Sequence, residues 1–284
     1  MLSLRAPAKI NWALFIAGRR DDGYHEIISL IQCIDLWDEL SFEPFGAITL
    51  ESDCPVPPAS NLVWKAALLL KDYAGVDAGA RITLKKNIPM EAGLGGGSSD
   101  AAFTLMGLNK LWGLKIPNGK LAALGAQLGS DVPFFFYGPS AIVTGRGEVV
   151  KRVKTGQPMR LTVSKPDFGV SSGWAYRALR GYTGLTKARD NIKLFIRALA
   201  RRDYSALEDA GGNDLEPGVC AAYPEIGRMK AELGKKGAFY AHMSGSGSAV
   251  YGVFGGLDEA MRAASGMSWW SRAVSTITEV NFLS

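Results

Sequence analysis

Residues 89–102 read PMEAGLGGGSSDAA, with four glycines among the five residues 93–97 running straight into hydroxyls and a helix-forming segment. Gly93, Gly95, Gly96 and Gly97 can take positive φ and carry no side chain, so a multiply charged ligand can approach the backbone there. Ser98, Ser99 and Asp100 stand where an N-cap belongs, and Ala101, Leu105, Leu108 and Trp112 follow at helical spacing. Backbone N–H groups and the positive end of a helix dipole then converge on one anion site, and the chemistry is phosphate binding. The loop is not a P-loop, because no Gly-Lys-Ser/Thr follows, and not a Rossmann turn, because no G-x-G-x-x-G joins strand to helix. Alone, such a loop is also compatible with a structural turn.

Two more segments bear on that choice: APAKINWALFIAGRRDDGYHEI at 6–27 and MSGSGSAVYG at 243–252. With the glycine loop, in this order and at these distances, they resemble the three motifs of the GHMP small-molecule kinases. PAKINW followed by DGYHEI, LGSDVPFFF at 128–136 and the segment Asn213-Asp214-Leu215-Glu216 resemble one branch of that superfamily. Its members phosphorylate the 2-hydroxyl of a methylerythritol carrying a cytidine diphosphate, in the non-mevalonate isoprenoid route. The resemblance runs from about residue 5 to about residue 254. It implies an α+β fold of two parts: an N-terminal α/β domain with a left-handed crossover, a C-terminal ferredoxin-like domain, and an active site in the cleft between them.

Phosphoryl transfer rests on positioning, charge stabilisation and one group to manage the acceptor proton. The resemblance assigns that work to Lys9 and Asp131: the carboxylate accepts the hydroxyl proton, and the lysine favours the ionised carboxylate and the developing alkoxide. By itself Asp131 reads more readily as a turn or cap residue beside Gly129, and Lys9 as a charge at a strand edge. ATP is expected along Gly93, Gly95, Gly96, Gly97, Ser98 and Ser99, with Asn61 and Lys86 toward the adenosine. Asn61 would also cap a helix, and Lys86 would also suit an exposed position. Mg²⁺ is expected because the transferring phosphates need neutralisation, with Asp100 or Ser99 as its protein ligand. Asn11, Tyr24 and His25 carry the substrate reading, since an aromatic face beside a hydrogen-bonding imidazole suits cytosine. Tyr176, with Trp174 as competitor, would supply a second ring. Ser244, Gly245 and Gly247 of the SGSG turn would line phosphates, or else form a tight hairpin.

The elements that must hold these residues alternate in type. Residues 48–50 and 81–85 alternate like half-buried strands, and 62–73 follow helical spacing behind Asn61. A helix over 119–128 would end at Gly129, placing Ser130 and Asp131 in the turn before the apolar run 132–137. Residues 148–155 read as a connector, so the domains are expected at 1–155 and 156–284. Beyond it, strands are predicted at 159–164, 238–243 and 249–254, and helices at 191–199 and 225–233. Trp269 and Trp270 read as packing.

Composition narrows the partners. With 284 residues, 47% hydrophobic and 21% charged, the chain can bury a large core. A net charge of +5 raises nucleic acid as a partner. The basic pairs Arg19-Arg20, Lys85-Lys86, Arg201-Arg202 and Lys235-Lys236 are scattered and not interleaved with aromatics, so a small polyanion is expected and nucleic acid is not. Three cysteines without C-x-x-C spacing suggest neither a disulfide framework nor zinc, and point to a cytoplasmic setting. Residues 10–17 are too short and wrongly flanked for a signal peptide, and no apolar run approaches the roughly 18 residues that cross a bilayer. Membrane partners are therefore not expected. Homoserine or mevalonate kinases of the same superfamily, and a non-catalytic RNA-binding protein on this fold, are the competing readings.

Overall fold

In the computed structural model, residues 1–279 are described. Two long strands, β1 (Leu2–Arg19) and β2 (His25–Phe45), form an antiparallel hairpin. Next come β3 (Ile48–Ser52), α1 (Leu62–Ala74), β4 (Gly79–Lys85), α2 (Gly96–Leu111), α3 (Asn118–Gly125), the short α4 (Phe134–Tyr137), β5 (Ser140–Gly145) and β6 (Val149–Arg152). The second half holds β7 (Arg160–Lys165), α5 (Ser172–Arg177), α6 (Leu185–Arg201), α7 (Tyr204–Ala210), β8 (Gly212–Asn213) and α8 (Glu216–Ala222). It ends with α9 (Pro224–Lys235), β9 (Tyr240–Met243), β10 (Val250–Phe254), α10 (Leu257–Ser265) and β11 (Trp270–Ser275).

One sheet runs β3-β4-β2-β1-β8, with β5 paired to β2 and β6 to β5. β3 and β4 are parallel, so α1 is the crossover between them, as parallel pairing requires. The other sheet runs β11-β7-β10-β9, antiparallel throughout. Numbered within that half as first to fourth, its strands lie in the order 4-1-3-2 with helices in the connections, which is the ferredoxin-like arrangement. The second half also sends β8 to pair in parallel with β1, so the two sheets are stitched together beside the N-terminal strand.

β1 decides where the chemistry sits. Leu4, Ala6, Leu14 and Ile16 join one core, whereas Ala8, Ile10, Trp12 and Phe15 join another. Faces alternate along a strand with period two, yet Ala6 and Ala8 share parity and lie on opposite faces. Irregular pairing with β2 between Pro7 and Ala8 and again between Asn11 and Ala13 accounts for it. Each irregularity flips the strand. Between them, Lys9 and Asn11 turn away from Trp12's core, toward the head of α2.

Several boundaries differ from expectation. α2 starts at Gly96 behind Gly95, so Ser98, Ser99 and Asp100 lie inside its first turns, not at its cap. Only Gly93 and Gly95 of the four loop glycines have positive φ, 71° and 70°; Gly96 and Gly97 are helical. α3 ends at Gly125, and Gly129 belongs to the turn after it. The expected connector over 148–155 contains β6, because its valines pair back onto β5. α6 begins six residues before the predicted start at residue 191, and α5, α7, α8, α10 and β11 were not foreseen. Trp270 packs on the second core, and Trp269 donates its indole N–H to Glu225.

Candidate active site

The glycine loop, β1 and the SGSG turn meet at one point. The Lys9 amide donates to Leu94 O at 2.8 Å, and Ser244 Oγ donates to Gly93 O at 3.0 Å. A Cβ on Gly93 would lie 2.0 Å from Ser244 O, so the two turns approach as closely as backbones can. Asn213 holds the SGSG turn from behind, its Nδ2 donating to Met243 O at 2.9 Å and Gly245 O at 2.7 Å. Asp214 accepts from the Ile16 amide and the Thr183 hydroxyl, and Glu216 accepts from the Met243 amide. The Asn-Asp-Leu-Glu segment is thus a latch between β1 and the turn before β10.

Lys9 is 4% exposed at its side chain; its Nζ donates to Asn11 Oδ1 at 2.6 Å and lies 3.3 Å from Asp131 Oδ2. Asn11 is held in turn, its Nδ2 donating to Ser29 Oγ at 2.8 Å. Asn11 takes one ammonium donor and Asp131 lies within ion-pair reach, so the ammonium keeps donor capacity for an oxyanion in the cleft. Asp131 is 34% exposed and reaches the pair from the turn before α4. A fixed cation beside a solvent-reached carboxylate can take a hydroxyl proton and stabilise the oxygen it leaves.

No side chain caps α2, and its first-turn amides carry the positive end of the dipole. Ser99 Oγ and Asp100 Oδ1 are buried there with no hydrogen-bond partner. Asp100 Oδ2 accepts from Lys86 Nζ at 2.7 Å, and Lys86 also donates to Asp38. Asp38 is wholly buried and takes the amides of Asn87 and Ile88 at 2.6 and 2.8 Å. Burial pushes the Asp100 carboxyl up to about 7, with Lys86 pulling against it and Asp38 adding to it. For Lys86, burial opposes the charge, but Asp100 and Asp38 outweigh it and hold the ammonium above its ordinary value. Lys86 is thus neither exposed nor a free cation. Asn61 is buried and caps α1, its Oδ1 accepting from the Val63 amide at 2.9 Å, while lining the same cleft.

The orphaned Asp100 oxygen, at the cleft beside free helix amides, fits Mg²⁺, which takes one or two protein oxygens and completes its shell from phosphates and water, whereas Ser99 is wholly buried and does not line the cleft. Among the described residues no set of three or more His, Cys, Asp or Glu could hold a metal unaided.

All this opens into a cleft of about 1420 Å³ whose far end is aromatic and basic. His25 stacks on Tyr176, ring centroids 5.2 Å apart and 20° from parallel, with Tyr182 at 6.2 Å. Burial and then the Arg19 charge lower the His25 pKa. Burial and then the Asp131 charge push the Tyr176 phenol up. Tyr24, 54% exposed, leans instead under the Arg146 guanidinium. Trp174 meets Tyr223 edge-on, so of the two aromatics considered it is Tyr176 that lines the cleft. Gly245 lines it as well, and a Cβ there would lie 3.3 Å from Lys9 Nζ. Gly247 (φ 84°) packs on Met243 at the back of the turn. Sequence reasoning missed Asp38, Arg146 and Tyr182; the first stands between the acids Asp35 and Glu39, and nothing local marks it as the buried one.

A family model described as the GHMP kinases N-terminal domain matches residues 61–139, and one for the GHMP kinases C-terminal region matches 195–268. A 4-diphosphocytidyl-2-C-methyl-D-erythritol kinase of Thermodesulfovibrio yellowstonii is 46% identical over 98% of this chain and 99% of its own length. The chain belongs to the GHMP kinases. It is an ATP-dependent small-molecule kinase with the GHMP two-domain α+β fold. The crystal structure of a 4-(cytidine 5'-diphospho)-2C-methyl-D-erythritol kinase superposes with a TM-score of 0.83 at 35% identity, covering 97% of this GHMP kinase and 99% of that chain. A homoserine kinase from Cytophaga hutchinsonii gives 0.75 at 19% identity over 98% and 94%, a likeness of fold alone. Among the described residues no helix is long and apolar enough to cross a membrane.

Proposed function

We propose that this kinase transfers the γ-phosphoryl group of ATP to the 2-hydroxyl of 4-diphosphocytidyl-2-C-methyl-D-erythritol. The Lys9–Asp131 pair, opening into the same cleft as the uncapped head of α2, carries the reading. Asp131 takes the hydroxyl proton as the new oxygen–phosphorus bond forms and the bond to ADP breaks. Lys9, aimed by Asn11, holds the developing alkoxide. The amides of Gly96, Gly97 and Ser98 hold the ATP phosphates, with Asp100 toward Mg²⁺ and Asn61 at the adenosine end, while Lys86, bonded to Asp100 and Asp38, holds Asp100 in place and does not reach the adenosine. Mg²⁺, when bound, neutralises the phosphate charge. Tyr24, His25 and Tyr176 receive the cytosine, and Gly245 shapes the wall along the diphosphate, with Ser244 and Gly247 holding the turn from behind.

Homoserine and mevalonate kinases need a phosphate cradle and a base but have no use for an aromatic, basic far end. A domain division near residue 155 is supported by the passage from β6 to β7, where the chain leaves one sheet for the other. Three free cysteines fit a cytoplasmic setting.

The test is ADP release with a panel of acceptors. The diphosphocytidyl compound should turn over, and free methylerythritol phosphate should be poor, because binding energy from the remote base helps orient the hydroxyl. Efficient phosphorylation of homoserine or mevalonate, with the diphosphocytidyl compound ignored, would refute the substrate.

A further inference from the structure

Arg146 sits at the tip of the turn between β5 and β6, with its guanidinium carbon 4.7 Å from the centroid of the Tyr24 ring. It is half-buried, whereas Tyr24 is 54% exposed, so the arginine covers one face of a ring that is otherwise open to the cleft. The turn is braced on several sides. The Arg146 amide donates to Glu148 at 2.6 Å, and the Gly145 amide donates to Glu26 Oε1 at 3.1 Å. The other oxygen of Glu26 pairs with Arg20 at 2.6 Å. Arg20 donates its amide to Tyr24 O at 2.8 Å, and the Tyr24 amide donates to Asp22 at 3.1 Å. The tip of the β1–β2 hairpin and the tip of the β5–β6 hairpin therefore form one hydrogen-bonded unit with the Arg146–Tyr24 stack on its cleft side. On its other flank, Gly147 backs onto Ser130, the neighbour of Asp131; a Cβ there would meet Ser130 at 3.3 Å.

A cation over an aromatic face is held by the ring's negative quadrupole, and a planar guanidinium stacks there. We propose that Arg146 is a positioning residue for the base: it closes one face of Tyr24, so that cytosine stacks only on the other, and it braces the ring in that pose. The inference rests on the reading that Tyr24 receives the cytosine. Arg146 does not touch the reacting atoms. It acts through Tyr24, which separates it from an arginine that simply attracts the diphosphate.

The test is a double-mutant cycle of Arg146→Ala and Tyr24→Ala, read as KM for the diphosphocytidyl substrate, KM for ATP, and turnover at saturation. A cation–aromatic contact at a partly exposed site corresponds to roughly a two- to fivefold effect on affinity. Arg146→Ala should raise the KM of the cytidine substrate by that factor, with the ATP KM and saturated turnover within about twofold of wild type. In the Tyr24→Ala background the same substitution should have no further effect. Titration with cytidine itself, which carries no phosphate, followed by NMR shifts, should show the same two- to fivefold weakening. Equal effects of Arg146→Ala with and without Tyr24, or cytidine affinity unchanged while the diphosphate substrate weakens, would overturn the inference and leave the substrate assignment standing. A wild type that neither binds cytidine nor uses the diphosphocytidyl compound would overturn both.

Discussion

Replacing Asp131 by Asn keeps the shape of the side chain and removes its charge, and the structure sets two quite different magnitudes for the consequences. Asp131 is 34% exposed, so its pairing with Lys9 at 3.3 Å is screened by solvent. The amide oxygen of Asn can still accept from Lys9, and Asn11 keeps its 2.6 Å contact to the same ammonium. Folding stability should fall by about 1 kcal/mol or less, a Tm change of roughly 2–4 °C. Turnover should fall far more, since a positioned general base is worth about 10²- to 10⁴-fold, or roughly 3–5 kcal/mol of barrier. ATP and substrate affinities should stay within a few-fold, because the carboxylate acts on a proton that moves only in the reaction. Calorimetric Tm together with ADP release at saturating concentrations of both substrates separates the two effects. Turnover within tenfold of wild type would show that Asp131 is a turn residue, and the proton would need another acceptor.

Gly93→Ala should fail where Gly97→Ala succeeds: the first Cβ would meet Ser244 O at 2.0 Å on a positive-φ backbone, and the second would meet only Leu62 at 3.5 Å on a helical one. Comparable Tm and ATP affinity in the two variants would contradict the packing of the glycine loop on the SGSG turn. For Glu216, burial opposes ionisation, but the hydrogen bond and charge of His242 and the charge of Lys230 outweigh it and bring the carboxyl from 4.5 to about 2. A depressed carboxylate stabilises the fold above pH 4.5 and loses that contribution as pH falls toward 2, here on the order of 3 kcal/mol. Glu216→Gln should lower Tm at pH 7 and flatten its decline between pH 4.5 and 2; parallel Tm–pH curves for variant and wild type would rule the latch carboxylate out as the cause.

The phosphate loop and the α+β alternation were legible from residue types and order, because glycines, caps and alternating apolar residues act locally, whereas the pairing of Lys9 with Asp131 came only from the family resemblance. Helix α1 behind Asn61 and the strands over 81–85, 159–164 and 249–254 came from the same local signals. The start of α2 did not: three consecutive candidates for an N-cap stood at Ser98–Asp100, yet Ser99 and Asp100 were drawn into the buried first turns by packing against the sheet and by Lys86. Lys86 itself, one lysine among many in sequence, takes its place from Asp38, which lies 48 residues away along the chain. Nor does a sequence period reveal that Lys9 and Asn11 face α2, since two breaks in the β1–β2 register turn them there and register is a property of the pair of strands. The chain's residue types determine which chemistry is available. Which of those groups are buried, paired and aimed at one another is decided only when segments distant in sequence desolvate each other, because burial and charge pairing depend on neighbours that no local stretch contains.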